Sequence, residues 1–182
     1  MDVRFLGHAC FTLSDGDTTV LIDPFLTGNP KAAVSADEEG LEVNDCNLGG
    51  TATFDWGWAK LVPAWHTSTT PKGTVNTPAG LLINFKDTIV YHLGDTALFS
   101  DLSLVGKHHP IDYALMCIGG HYTMDRVDAV DAAELVGAKT VIPCHYNTFP
   151  VIETDAQAFK SDVESATTSH VVVLDPGQTH LV

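Results

Sequence analysis

Three residues of this chain have the types and the settings of metal ligands. His66 closes the run Leu61-Val62-Pro63-Ala64-Trp65 and is followed by Thr67-Ser68. Asp95 follows Ile89-Val90-Tyr91-His92-Leu93-Gly94, and His145 follows Val141-Ile142-Pro143-Cys144. Each stands where a short apolar run, reading as a buried strand, gives way to polar, turn-forming residues. Imidazole and carboxylate donors on rigid strand ends can hold a divalent metal, and three protein ligands are the minimum for a site that keeps one position open for catalysis. Taken singly, each residue is as readily an ordinary polar strand end, and Gly94-Asp95 is also plain turn chemistry. Three on separate strand ends, where open α/β sheets place their ligands, are harder to dismiss.

The remaining histidines divide. His8 (Gly7-His8-Ala9) and His121 (Gly119-Gly120-His121) have glycine neighbours that let the backbone come close to a ligand. Either can belong to the site itself or stand directly behind it. His92 lies inside its strand and is expected in the core or in support of the site. His108 and His109 precede Pro110 and read as loop, and His170 and His180 read as surface.

The elements that must position these residues follow from the pattern of apolar runs and breakers. Residues 3–5 and 9–13 alternate as strand, Asp15-Gly16-Asp17 is a hairpin turn, and residues 18–22 return as far as Asp23-Pro24. Residues 31–39 predict at most two weak helical turns. Residues 41–43, 51–54 and 58–63 read as strands, and residues 79–85 and 88–93 as a second hairpin turning at Lys86-Asp87. Strands are predicted over 111–117, 140–142 and 171–174. Helices are predicted over 127–136, capped by Gly137, and over 156–166, with Thr154 or Asp155 as N-cap. Hairpins first and strand–helix alternation afterwards imply helices outside packed sheets.

Composition bounds the function. With 182 residues, 45% of them hydrophobic, the chain can bury one sizeable core, and a single domain over 1–182 is expected. A net charge of −14 opposes nucleic acid and anionic membrane surfaces as partners. A small-molecule substrate is the expected partner, and homo-oligomerisation is left open. Cys10, Cys46, Cys117 and Cys144 lack metal-knuckle spacing and read as free thiols in a reducing compartment. No apolar stretch approaches the roughly 20 residues of a membrane span. A cytoplasmic location is expected.

Six stretches, in order along nearly the whole chain, carry a resemblance: Phe5-Leu6-Gly7-His8, Ile22-Asp23-Pro24-Phe25-Leu26-Thr27-Gly28-Asn29-Pro30, Ala64-Trp65-His66-Thr67-Ser68, His92-Leu93-Gly94-Asp95-Thr96, Ile118-Gly119-Gly120-His121-Tyr122-Thr123-Met124 and Pro143-Cys144-His145-Tyr146-Asn147-Thr148-Phe149-Pro150. Together they resemble the metallo-β-lactamase superfamily, most closely its metal-dependent hydrolases related to ascorbate-phosphate lactonases. The resemblance implies an αββα sandwich. It implies His66, Asp95 and His145 as metal ligands, with Asp95 bridging two metals, and Asp23 as support behind them. The family's His-x-His-x-Asp-His motif, expected after Pro30, is absent. Residues 31–39 run almost directly into 41–43, as though one central βα segment of roughly forty residues were missing after about residue 38.

The implied function is a metal-dependent hydrolase of lactones, esters or phosphodiesters. Zinc is the default ion for such donors, with manganese or iron as alternatives. Asp95 would orient the attacking hydroxide, and His121 or His8 would steady an oxyanion or relay a proton. The competing reading is a non-catalytic binding domain that keeps the scaffold without turnover, because the main metal motif is absent.

Overall fold

A computed structural model of the chain describes residues 1–25, 30, 46–69, 73 and 75–182. The chain opens with β1 (Asp2–Gly7), β2 (Cys10–Ser14) and β3 (Thr19–Ile22), an antiparallel meander. The Asp15 carboxylate accepts from the N–H groups of Asp17 and Thr18 and closes the hairpin that its Asp-Gly signal predicts. Next come β4 (Thr51–Phe54), β5 (Gly57–Pro63), a two-stranded ribbon of β6 (Ser68–Thr69) and β7 (Val75–Asn76), and the hairpin β8 (Ala79–Phe85)–β9 (Thr88–His92). Lys86 and Asp87 take positive φ in its turn, as a two-residue primed turn requires. The rest alternates: α1 (Leu102–Val105), β10 (Tyr113–Cys117), α2 (Arg126–Val136), β11 (Thr140–Cys144), a 3-10 turn, α3 (Ala156–Ala166), β12 (His170–Val171) and β13 (Thr179–Leu181).

The strands form two main sheets. One runs β13-β1-β2-β3, the other β12-β11-β10-β9-β8-β5-β4. In the second, β9 to β12 are parallel, so their carboxyl ends share one edge. Val3, Phe5, Phe11 and Leu13 meet Ile83, Phe85, Val90, Leu115 and Ile142 between the sheets. On the other face of the larger sheet, Tyr91, Ala114, Met116 and Val141 pack against α2 and α3. Helix α2 buries Ala129, Ala132, Ala133 and Val136, one helical face, and α3 buries Ala156, Phe159 and Val163. Burying a side chain such as Phe159 contributes about 1.5–3 kcal/mol. Asp125 and Asp155 cap the two helices through their carboxylates, and Gly137 ends α2 at φ 62°.

Among the described residues all three helices lie against the seven-stranded sheet. The four cysteines are unpaired. The strand expected over 171–174 is pairing only at His170–Val171. Strand β13 and helix α1 are elements the sequence pattern did not signal. The helical turns expected over 31–39, the strand over 41–43 and the segment expected to be missing after about residue 38 fall outside the described residues.

Candidate metal centre

His145 is held by backbone as much as by side chain. It leaves β11 at φ 55°, a left-handed conformation that costs a non-glycine residue on the order of 1–3 kcal/mol. Its N–H donates to the His8 carbonyl at 2.6 Å, which ties the end of β11 to the turn between β1 and β2. Opposite, Gly119 presses on the His145 carbonyl so closely that a Cβ there would lie 2.1 Å from the oxygen. This is the close approach for which a glycine neighbour is used.

His8 also sits at positive φ, 59°. Its ring lies 4.0 Å from the His145 ring, centroid to centroid, with Phe25 and Phe149 nearby, and its Nδ1 is 3.0 Å from the Thr148 hydroxyl. Burial, and then the charge of His145, push the His8 imidazole down to about 4 against the opposing pull of Asp95. The ring is therefore neutral at physiological pH.

Asp95 is placed by its neighbours in sequence. The His92 side chain, 3% exposed, accepts from Gly94 N–H at Nδ1 (3.0 Å) and donates from Nε2 to the Ala9 carbonyl (2.8 Å). Both nitrogens are used, so the tautomer is fixed by these partners. Thr96, fully buried, accepts from Trp65 N–H and donates to the Ala97 carbonyl, while its own carbonyl accepts from Met124 N–H. It fastens the Asp95 turn to the segments that carry His66 and His121. Thr96 and Thr148 had no signal in the sequence: a hydroxyl reveals its role only through partners distant in the chain.

Asp95 and His145 meet. Oδ1 of the one is 3.5 Å from Nε2 of the other. Burial raises the Asp95 carboxyl, but the His145 ring, with His66 and His8 behind it, more than reverses this and holds it below the usual carboxylate range. The same pairing outweighs burial at His145 and raises its imidazole. His145 Nδ1 is buried without a hydrogen-bond partner, an exception that tends to mark functional sites.

Asp23, at φ 46°, lines a cavity of about 400 Å³ together with His66, Thr67, His92 and Asp95. Desolvation against the cleft wall pushes its carboxyl up and the charge of Asp95 adds to this, while His92 and His145 pull it down. Its outer surface is open to solvent. His66 is exposed in the same cavity, with Nδ1 2.6 Å from the Thr67 carbonyl and Nε2 2.8 Å from the Tyr122 carbonyl. His121, at φ 43°, is exposed outside the cavity with its ring edge-on to Tyr122. A larger cavity of about 460 Å³, between β5 and α1, is mostly apolar and holds none of these groups.

Two donors on one tetrahedral ion at about 2.0–2.1 Å stand roughly 3.4 Å apart. The Asp95–His145 separation matches this, and it is long for a strong hydrogen bond. In donor type and spacing the pair fits a divalent cation. Among the described residues no three His, Cys, Asp or Glu side chains close around a common point tightly enough to enclose one.

A family model described as a β-lactamase superfamily domain matches residues 18–146. The chain belongs to the metallo-β-lactamase superfamily. A UPF0173 metal-dependent hydrolase of Thermus thermophilus is 40% identical over 201 aligned positions, which take in 87% of this chain and 89% of the relative. A UPF0173 metal-dependent hydrolase of Pelotomaculum thermopropionicum is 36% identical, covering 98% of this chain and 99% of its own. The structure of a metallo hydrolase from Ignicoccus hospitalis superposes with a TM-score of 0.85 at 30% identity, over 98% of this chain and 97% of that one. By family this is a metal-dependent hydrolase. No helix among the described residues is long and apolar enough to cross a membrane.

Proposed function

We propose that the cleft at the carboxyl ends of β9 and β11 is a hydrolytic site for a small carbonyl or phosphoryl substrate: a lactone, an ester or a phosphodiester. The observation that carries this reading is the Asp95–His145 pair, 3.5 Å apart beside a cavity large enough for a small substrate. Asp95 and His145 would hold a divalent ion, which when bound makes water acidic enough to supply hydroxide and polarises the substrate oxygen. The chain's own groups do the rest. Asp95, held ionised, orients the attacking water through its second oxygen. The neutral His8 ring keeps the face of His145 dry and fixed. His66 anchors the Tyr122 carbonyl, and so the loop bearing His121, at the rim of the cavity.

The test is hydrolysis of a panel of lactones, aryl esters and phosphodiesters by chelator-stripped protein, before and after one divalent metal at a time is returned. Metal-restored turnover supports the reading. The competing non-catalytic domain is favoured by the lack of a three-donor cluster among the described residues. It predicts no turnover on any of the three classes with any metal.

A further inference from the structure

The cleft that holds Asp95 has two unlike walls. Its acidic wall carries the carboxylates of Asp23 and Asp95. Its apolar wall is Leu61 from β5, with Pro78, Ala79 and Leu81 at the start of β8. Leu61 and Leu81 are partners in the β5–β8 register, so their side chains lie side by side on one face. Ala79, two residues before Leu81, shares that face. All four apolar residues are half-buried, and part of their remaining surface borders about 400 Å³ of space. Leu81 is also the register partner of His92, three residues before Asp95, so the apolar wall begins beside the reacting end of the cleft.

No lysine or arginine among the described residues lines this cleft. The chain has nine such residues, and seven are described. Lys86, Arg126, Lys139 and Lys160 are in ion pairs with carboxylates elsewhere. Arg4 Nε donates to the Gly177 carbonyl, Lys60 lines the larger cavity, and Lys107 is exposed just beyond α1. The residues outside the described set hold two lysines against five acidic residues, so they add net negative charge. Helix ends offer nothing more, because the first N–H groups of α2 and α3 are taken by Asp125 and Asp155. A phosphate or carboxylate is ordinarily met by Arg, Lys or free N–H groups at a helix end. This cleft offers carboxylates instead, with Thr67 and Ser68 as neutral hydroxyl donors.

We propose that the cleft selects uncharged acyl substrates, esters or lactones whose carbonyl carries an aliphatic group, and discriminates against phosphodiesters and other anions. This rests on the hydrolytic reading above and narrows it. The aliphatic group lies along Leu61 and Leu81, which leaves the carbonyl at the Asp95 end. An anion of the same size must approach Asp23 and Asp95 without a counter-charge from the described chain.

The test compares matched substrates on the full 182-residue protein, loaded with one divalent metal at a time. Nitrophenyl butyrate is set against nitrophenyl succinate, which ends in a carboxylate, and against bis(nitrophenyl) phosphate. A series of γ-lactones with lengthening alkyl tails probes the apolar wall. We expect kcat/KM to rise about three- to fourfold per added methylene until the wall is covered. The anionic ester should be poorer by about tenfold or more, with the gap narrowing as salt is raised. Leu61→Ala and Leu81→Ala should flatten the chain-length dependence through KM, with kcat for the shortest lactone retained and melts showing the fold intact. Binding is read apart from turnover: a hexyl-substituted γ-lactam should bind metal-free protein by calorimetry, and more weakly in Leu81→Ala. Faster turnover of the phosphodiester or the anionic ester overturns the proposal and leaves the hydrolase reading standing. So does a chain-length dependence that is absent, or that persists in both folded leucine variants. Lactam binding without turnover under any metal overturns the hydrolase reading and leaves a cleft for neutral apolar ligands. Neither binding nor turnover overturns both.

Discussion

His145 and His66 occupy matching places in the sequence, each at the polar end of an apolar strand, and the structure treats them differently. His145 is 3% exposed, left-handed in backbone, wedged between Gly119 and His8, and directed at Asp95. His66 is exposed and occupied with carbonyls of Thr67 and Tyr122. A strand end supplies position; on the reading proposed above, what would fit a histidine to be a metal donor is the surroundings that strip it of other partners and fix its ring.

The largest expected effect comes from exchanging the two residues' fates. His145→Ala should lower metal-dependent turnover by on the order of 10²–10³-fold or more, while His66→Ala lowers it about tenfold through the Tyr122 loop. Equal losses in both, at unchanged melting temperature, would dissolve the contrast. Gly119→Ala attacks the wedge: a Cβ 2.1 Å from the His145 carbonyl must displace it. We expect destabilisation on the order of 1–3 kcal/mol by chemical denaturation, together with loss of bound metal. Thr148→Val removes only the hydroxyl that holds the His8 ring. It should weaken metal affinity about tenfold, measured by competition with a coloured chelator, and leave the fold intact.

The smallest effect is in pH. In metal-free protein His8 titrates at about 4, mainly through burial, whereas the unfolded chain takes up that proton near 6.5. Between these values the unfolded state binds more protons, so this contribution to stability is present above about 6.5 and is lost as pH falls toward 4. His145 acts in the opposite sense: its imidazole is raised, so its contribution is full below 6.5 and is lost as pH rises through its folded value. His8→Gln should flatten the acid limb of a melting-temperature profile, and ring resonances followed by NMR should show His8 neutral well below pH 6. An unchanged limb would remove His8 from the site's electrostatics.

The hairpins and the two capped helices were legible because their signals are local. Asp15-Gly16, Lys86-Asp87, Asp155 and Gly137 act on residues within a turn of themselves. Asp95 and His145 were legible as candidates because apolar runs end at them. What the sequence did not disclose depends on residues far apart in the chain. Thr96 fastens three loops, Thr148 orients His8, and β13 is a strand only because β1 is beside it. The engagement of His66 with Tyr122, 56 positions away, is of the same kind.

The hydrogen bond from His145 N–H to the His8 carbonyl joins two ends of a long loop of chain. Closing so large a loop is entropically expensive and comes late unless strong contacts precede it. The pocket is therefore finished only after most of the chain has been synthesised and the two sheets have met. A growing chain on the ribosome, lacking β11, has Asp95 without His145, and on the proposed reading it would lack the pair that holds the ion. Metal capture by that pair would then be an event of the completed fold, and would not guide the early steps that lead to it.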